Sequence, residues 1–182
     1  MRWYRPIDVW MYGRYSRIIS ISDAADINLK QYLHVIDDSD KFKIVYNGID
    51  VSRFENALPN PEFQSSKKII TMVAGFRYQK DQDTLIKAFS LLPKNEYELW
   101  LVGDGERRRD LEALAVSEGV CDGVKFWGVR QDVPSILKSS DVIVMSSHFE
   151  GLSLSNIEGM SVGKPFVASE LDGLHEMTEG AG

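Results

Sequence analysis

The chain has 182 residues, of which 43% are hydrophobic and 26% charged, and its 21 basic and 27 acidic side chains give a net charge of −6. This length suits one domain, or one domain and a piece of another, and the composition excludes disordered, collagen-like and coiled-coil proteins. The acidic balance argues against a nucleic-acid-binding protein. A single cysteine, Cys121, excludes an internal disulfide and a zinc site built from several cysteines.

The apolar runs of the sequence are short. The longest, such as residues 142–145, fall far below the roughly 18 residues that a membrane-spanning helix needs. Arg2 and Arg5 are not followed by the apolar stretch of about 7–15 residues that marks a signal peptide. We therefore expect a cytoplasmic protein.

Residues 1–58 predict an incomplete domain, in which eight basic and eight acidic side chains cancel. Three elements are predicted: a strand over 18–22, a helix over 24–33 and a strand over 43–46. Two strands and one helix cannot enclose a core by themselves. Five aromatic side chains stand in residues 1–15, a density that predicts burial against another part of the protein. We interpret this section as the tail of a domain that begins earlier in a longer chain.

A linker candidate follows, because residues 56–66 combine two prolines with several polar side chains. We assign residues 1–58 to the end of one domain, 59–66 to the linker and 67–182 to a second domain. The second domain has predicted strands at 68–74, 97–102, 124–127, 141–146 and 165–169, and predicted helices at 81–92, 106–118, 133–138 and 154–162. This alternation predicts an α/β fold, a doubly wound, Rossmann-like parallel sheet with helices on both faces.

Polar and glycine-containing motifs follow the predicted strands, where each strand ends. These motifs are residues 75–80, 103–106, 128–130, 146–156 and 173–176. Ligands bind at this edge of open parallel sheets, in the crevice where the strand order reverses. The sequence therefore predicts a ligand site built from these loops.

Two cations in the first of these loops, Arg77 and Lys80, suit an anionic diphosphate, because charge-assisted hydrogen bonds to phosphate are short and strong. The alternative is that both are solvated charges where a helix starts. His148 and His175 have no metal-ligand spacing, and lone histidines are more often structural. We therefore expect no metal site.

The loop of residues 150–156 precedes a predicted helix, so its amides are placed to hold a phosphate without side-chain charge. The alternative is a capped helix start, with Ser155 or Asn156 as the N-cap. Glu158 lies among apolar residues of that helix. It is either on an exposed face or at a site where a carboxylate accepts both hydroxyls of a ribose.

Residues 150–165 carry the most specific pattern: Glu150 and Glu158 enclose seven residues, and a Gly-Lys-Pro ending follows. This pattern resembles the E-x7-E motif in the C-terminal, donor-binding domain of retaining GT-B glycosyltransferases. It is most similar to the bacterial family called glycosyl transferases group 1, which assembles capsule, lipopolysaccharide and exopolysaccharide. Supporting matches are residues 22–24, 47–50, 101–105 and 173–176. The resemblance extends from Tyr15 to Gly182.

The resemblance implies a role for each matched position. Glu158 binds the ribose hydroxyls of the donor, Glu150 lies near the donor sugar and phosphates, and Lys80 with Arg77 neutralises the leaving nucleotide diphosphate. The other donor-binding positions are Gly151, Leu152, Ser153 and Leu154, whose amides hold the diphosphate, Gly103 after the second strand, and Val129 and Arg130 in a base pocket formed by residues 126–130. The family's arginine stands five residues before the lysine, where this chain has Gly75, so the arginine is displaced to Arg77.

The resemblance as a whole implies an enzyme that transfers a sugar, with retention, from a nucleotide sugar to a saccharide or lipid-linked acceptor. UDP is favoured over GDP, no metal or other cofactor is expected, and the full-length protein is expected to lie at most peripherally on the inner face of a membrane. The acceptor domain belongs upstream of residue 1 and the last strand and helices belong downstream of residue 182. We therefore expect an inactive fragment of a protein about twice as long. Two alternatives stay open: a nucleotide-sugar-binding module without catalysis, and a sugar-nucleotide epimerase on the same fold.

Overall fold

The computed structural model of the protein describes residues 5–35, 40–171, 174, 175 and 178. Its helices are α1 (Arg5–Arg14), α2 (Asp23–Leu33), α3 (Ser52–Glu55), α4 (Gln82–Ser90), α5 (Arg108–Ser117), α6 (Val133–Ser139) and α7 (Leu154–Ser161). Its strands are β1 (Ile18–Ser20), β2 (Phe42–Ile44), β3 (Lys68–Val73), β4 (Tyr97–Val102), β5 (Val124–Gly128), β6 (Val142–Met145) and β7 (Phe166–Ala168). None of the described helices is long and apolar enough to span a membrane. Of the predicted motif at 173–176, Gly173 and Glu176 lie outside the described residues.

Strands β3 to β7 form one parallel sheet in the order β5-β4-β3-β6-β7. Successive side chains of a strand point to opposite faces, yet Leu99, Trp100 and Leu101 of β4 are all fully buried. Both faces of the sheet must therefore be covered, as happens when helices connect parallel strands. The predicted doubly wound, parallel α/β fold is confirmed.

Helices α4 and α5 pack against one face of this sheet. Ile86 and Phe89 of α4 and Leu111 of α5 are buried in one cluster with Met72 of β3 and Leu101 of β4. The apolar residues of both helices recur every three or four positions, which lines them up along the side that faces the sheet. The same spacing is what predicts these helices from the sequence.

An aromatic cluster on the opposite face includes part of the predicted linker. Phe63 lies in a short 3-10 helix, Pro61–Phe63, and only 1% of it is exposed. Its ring centroid is 6.1 Å from that of Trp100 and 5.2 Å from that of Trp127. A single phenylalanine in a proline-containing segment has no periodicity that would reveal its burial. The division of the chain into domains stays a prediction.

Strands β1 and β2 form a separate two-stranded parallel sheet. Ile18, Leu33 and Phe42 are buried between this sheet and α2, and Tyr12 of α1 packs against them. The β1-α2-β2 order agrees with the strand-helix-strand pattern expected for this section, and α1 is an additional element.

Two of the aromatic side chains in residues 1–15 are exposed in this chain. Trp10 is 59% exposed and Tyr15 is 48% exposed, whereas Trp3 and Tyr4 lie outside the described residues. Ile7, Trp10 and Met11 share one side of α1, and all three are exposed. The expected burial is against another part of the protein, so it stays a prediction.

Candidate functional site

The order of the five-stranded sheet reverses at β3. Strands β4 and β5 lie on one side of it, whereas β6 and β7 lie on the other. The loops that leave the carboxyl ends of β3 and β6 therefore diverge around a crevice, the usual ligand position in such sheets. We call residues 74–81 the β3 loop and residues 146–153 the β6 loop.

Hydrogen bonds join these two loops directly. The backbone amide of His148 donates to the carbonyl of Gln79 at 2.8 Å, and the side-chain amide of Gln79 donates to the carbonyl of Phe149 at 2.9 Å. The hydroxyl of Ser146 donates to the carbonyl of Asp81 at 2.9 Å. Because the loops are connected at several points, the side chains that they carry keep a fixed spacing.

Lys80 of the β3 loop and Glu150 of the β6 loop form an ion pair in the crevice. The pair is shielded from water, since only 14% of the Lys80 side chain and 2% of the Glu150 side chain are exposed. The hydroxyl of Ser147 donates to the same carboxylate oxygen at 2.7 Å. An ammonium group has three N–H donors, so Lys80 can hold Glu150 and still donate to an anion. The structure thus brings together two of the predicted catalytic residues.

Arg77, the third predicted catalytic residue, lies at the outer side of the β3 loop. It is exposed, and its guanidinium makes no ion pair with any described residue. Its Nε lies 3.8 Å from the position that a β-carbon on Gly75 would take, so the side chain folds back over the end of β3. This places a free cation at the same strand end as Lys80.

The backbone after β4 supports the β3 loop from its other side. Gly103 has a φ of +135°, and a β-carbon there would lie 2.1 Å from the carbonyl oxygen of Ala74. The amide of Phe76 donates to the carbonyl of Asp104 at 3.0 Å. Only glycine permits such a close backbone approach at this φ. Gly103 therefore shapes the β3 loop, and its contact with a donor stays a prediction.

The predicted phosphate-binding amides lie at the end of the β6 loop, ahead of α7. The amide of Ser153 already donates to the carbonyl of Gly151 at 3.0 Å. The amides of Gly151, Leu152 and Leu154 have no acceptor among the residues that the structure describes. Unpaired amides at a helix N-terminus attract anions, so three of the four predicted donors remain available.

Helix α7 begins earlier than its expected cap. Ser153 is the N-cap, so the expectation that Ser155 or Asn156 takes this position is wrong, because both lie inside the first turn. The fully buried side chain of Asn156 and the hydroxyl of Ser153 have no hydrogen-bond partner within the described ranges. Such groups are usually satisfied by water or a ligand. The Ser153 hydroxyl belongs to the predicted phosphate loop, whereas the Asn156 side chain is not predicted for the site and has no sequence signal beyond polarity at a helix start.

Asn47 links the first part of the chain to the β6 loop. Its side-chain amide donates to the carbonyl of Leu152 at 2.6 Å, across 105 positions of sequence. Ile21 contributes an apolar contact, with its Cδ1 3.7 Å from the position of a β-carbon on Gly151. The predicted donor loop is therefore positioned by residues before the linker as well as by Lys80.

Glu158 lies half-buried on α7, and its carboxylate makes no hydrogen bond with a described residue. Burial raises its pKa above the usual 4.5, and the charge of Arg53 opposes this shift to a lesser extent. Ile157 and Met160, on another side of α7, line a cavity of about 620 Å³ to which Glu158 does not contribute. An acceptor without a protein partner is consistent with the predicted role in binding ribose hydroxyls.

The raised pKa of Glu158 predicts a pH-dependent stability. The folded chain holds this proton more tightly than the unfolded chain, so the resulting stabilisation is present below pH 4.5 and is lost as the pH rises through the raised pKa. We expect Glu158→Gln to be more stable than the unchanged chain at neutral pH, with a difference that shrinks toward pH 4.5. Urea unfolding over this pH range measures it, with exposed Glu96→Gln as the control. A stability difference between Glu158→Gln and the unchanged chain that does not vary with pH contradicts a raised pKa of Glu158.

Val129 and Arg130, predicted for the base pocket, lie beyond the end of β5. Val129 is exposed. The guanidinium of Arg130 donates to Asp132 at 2.7 and 2.8 Å and to Glu62 at 3.3 Å, and it lies 5.2 Å from the ring centroid of Phe63. Its charge is thus already matched, and no hydrogen bond or ion pair in the described residues connects it to Lys80 or Glu150. The base pocket stays a prediction.

Histidines do not build a metal site in the described residues. His148 Nδ1 lies 3.5 Å from an oxygen of Asp81, and His175 Nδ1 lies 3.0 Å from an oxygen of Glu170. Across the described ranges, no three or more His, Cys, Asp or Glu side chains are grouped so as to hold a metal ion. The expectation that the protein needs no metal ion stays a prediction.

The chain is similar in sequence to proteins named as glycosyltransferases. It is 34% identical over 150 residues to an uncharacterized glycosyltransferase of Methanocaldococcus jannaschii, covering 76% of this chain and 38% of that protein. It is 27% identical over 183 residues to the UDP-Gal:alpha-D-GlcNAc-diphosphoundecaprenol alpha-1,3-galactosyltransferase of Escherichia coli. This similarity covers 93% of this chain and 46% of that protein. The chain therefore spans less than half the length of these two relatives.

The fold is similar to that of HepE from Anabaena, crystallised in complex with UDP-glucose. The TM-score is 0.82, with 25% sequence identity over 95% of this chain and 50% of that chain. Residues 54–180 match the family described as glycosyl transferases group 1. This match covers more than half of the chain and confirms the resemblance carried by Glu150 and Glu158. The chain belongs to the glycosyl transferases group 1 family.

Proposed function

We propose that this chain is the donor-binding part of an enzyme that transfers a sugar, with retention, from a UDP-sugar to a saccharide or lipid-linked acceptor. The observation that carries the proposal is the shielded Lys80–Glu150 pair at the point where the strand order reverses. The chain spans at most half the length of the proteins compared above, and the transfer activity is proposed for the whole protein. Catalysis requires donor and acceptor to be held together.

The described residues suit a nucleoside diphosphate sugar in three ways. The exposed Arg77 supplies positive charge at the end of β3, and the ammonium group of Lys80 keeps N–H donors beyond the one that holds Glu150. The unpaired amides of Gly151, Leu152 and Leu154 lie at the start of α7 and suit the diphosphate oxygens. When the bond between the sugar and the diphosphate breaks, negative charge grows on the leaving phosphate, and fixed donors of this kind stabilise it.

The choice of UDP rests on the proteins that this chain is similar to. HepE was crystallised with UDP-glucose, and the name of the Escherichia coli relative states UDP-Gal as donor and a diphosphoundecaprenol-linked sugar as acceptor. We infer that the whole protein is cytoplasmic and works at the inner face of a membrane, where it would meet a lipid-linked acceptor. We also propose that the positive charge of Lys80 and Arg77 replaces a metal ion.

Calorimetric titration with UDP, GDP and ADP in the presence of a chelator tests this proposal. We expect UDP to bind, and Glu158→Ala to weaken binding by about 1–3 kcal/mol, the range for a lost hydrogen bond to a charged group. Glu96→Ala, which removes an exposed carboxylate far along the chain, serves as the control and leaves the affinity unchanged. Equal affinity of Glu158→Ala and the unchanged chain contradicts the ribose role. Binding that appears only when a divalent cation is added contradicts the metal-free proposal.

A further inference from the structure

Two aromatic rings in the β3 and β6 loops have no role in the site described so far. The rings of Tyr78 and His148 are in contact and tilted, with centroids 4.6 Å apart and an angle of 38° between their planes. Tyr78 precedes Lys80 by two positions and His148 precedes Glu150 by two positions. Residues two positions apart have Cα atoms within about 7 Å of each other, so both rings are carried by the same short stretches of backbone as the ion pair.

Asp81 and Gln79 hold His148 in place. His148 Nδ1 lies 3.5 Å from a carboxylate oxygen of Asp81, and Asp81 itself is buried and accepts a hydrogen bond from the amide of Thr84 at 3.3 Å. The backbone of His148 is tied to Gln79, as described above. The Tyr78 ring therefore packs beside an anchored imidazole. Much of the ring stays accessible, because Tyr78 is 65% exposed.

We propose that the exposed ring of Tyr78 is a stacking platform for a pyranose ring. One face of a pyranose presents several C–H bonds, which carry slight positive charge, and an aromatic face is negative. Tyrosine adds a rigid apolar body with a polar hydroxyl at its end, which suits a ligand that is both apolar and rich in hydroxyls. The contact with His148 already restricts the Tyr78 ring, so less conformational freedom is lost when a sugar stacks on it.

The position of Tyr78 favours a sugar over the nucleobase. This step rests on the proposed function, in which the diphosphate lies against Lys80. The sugar is bonded directly to that diphosphate, so it falls within reach of a ring two positions from Lys80. The acceptor must approach the same carbon of the donor sugar, so an acceptor pyranose falls within the same reach. Both sources present the same chemistry to Tyr78.

The experiment compares the unchanged chain with Tyr78→Ala, Tyr78→Phe and the control Tyr15→Ala, an exposed tyrosine at the end of α1. Calorimetry gives the affinities for UDP and UDP-glucose, and saturation-transfer NMR detects binding of methyl α-glucopyranoside. For a donor pyranose, we expect Tyr78→Ala to bind UDP-glucose about threefold to tenfold more weakly while UDP is unaffected. For an acceptor pyranose, both nucleotides bind as before and the glycoside signal is lost. Tyr78→Phe and Tyr15→Ala keep the original behaviour in both cases.

Two results contradict the proposal that Tyr78 is a stacking platform for a pyranose. One is an equal loss of affinity for UDP and UDP-glucose in Tyr78→Ala, which assigns the ring to the nucleotide. The other is a Tyr78→Ala variant that matches the unchanged chain in all three measurements. Failure of the unchanged chain to bind either nucleotide contradicts the proposed function instead, and the glycoside measurement then still decides the role of Tyr78.

Discussion

Replacing Glu150 by alanine is expected to lower the free energy of unfolding by about 3 kcal/mol. The substitution leaves the ammonium group of Lys80 without its carboxylate and removes the acceptor of the Ser147 hydroxyl. Breaking a buried pair typically costs about 3–5 kcal/mol, because the remaining charge is uncompensated. The lower end applies here because 14% of the Lys80 side chain still contacts water. Urea unfolding followed by circular dichroism measures the change.

Glu112→Ala is the matched control for this variant. Glu112 accepts a hydrogen bond from Arg108 at 2.8 Å, but 45% of its side chain is exposed. Exposed pairs contribute little, so the expected loss is below about 0.5 kcal/mol. The double variant Lys80→Met/Glu150→Leu removes both charges and should recover most of the stability. A Glu150→Ala variant as stable as the unchanged chain would show that the pair is not shielded in solution.

Gly103→Ala is expected to cost about 4 kcal/mol of unfolding free energy, combining backbone strain with overpacking. The residue has a φ of +135°, and the new β-carbon would lie 2.1 Å from the carbonyl oxygen of Ala74. The clash is with backbone, which cannot rotate away as a side chain can. Since Ala74 begins the β3 loop, relief of the clash displaces the loop that carries Lys80, and we expect UDP binding to weaken as well.

Gly48→Ala separates this effect from the general effect of replacing glycine. No heavy atom lies within 4 Å of a β-carbon at Gly48, and its φ is not positive. The expected change in stability is within about 0.5 kcal/mol. Equal shifts of the urea midpoint in the two variants would contradict the close approach of the strand ends.

The elements differ in how well local sequence predicts them. Strand β4 has the bounds that the sequence predicts, because the apolar run of residues 97–102 stops at Gly103. Helix α1 is not predicted, although Ile7, Trp10 and Met11 recur at helical spacing. The apolar side chains of Val9 and Tyr12 lie off that stripe, so no polar side is set apart from an apolar one.

The candidate site shows the same contrast. Residue type and motif spacing identify Lys80, Glu150 and Glu158 as candidates. Neither predicts that Asn47 donates to the carbonyl of Leu152, because a hydrogen bond across 105 positions leaves no local pattern. Nor do they predict that the charge of Arg130 is matched by Asp132 and Glu62.

The sequence by itself determined the parallel α/β class, the position of the polar loops at the strand ends and the identity of the candidate residues. These follow from periodicity within about ten residues and from the chemistry of each side chain. Only the tertiary structure decided that Lys80 meets Glu150 and that the ring of Tyr78 contacts that of His148. Both contacts depend on β6 lying beside β3. That neighbour relation is set by how the helices pack on the sheet as a whole, and no stretch of local sequence encodes it.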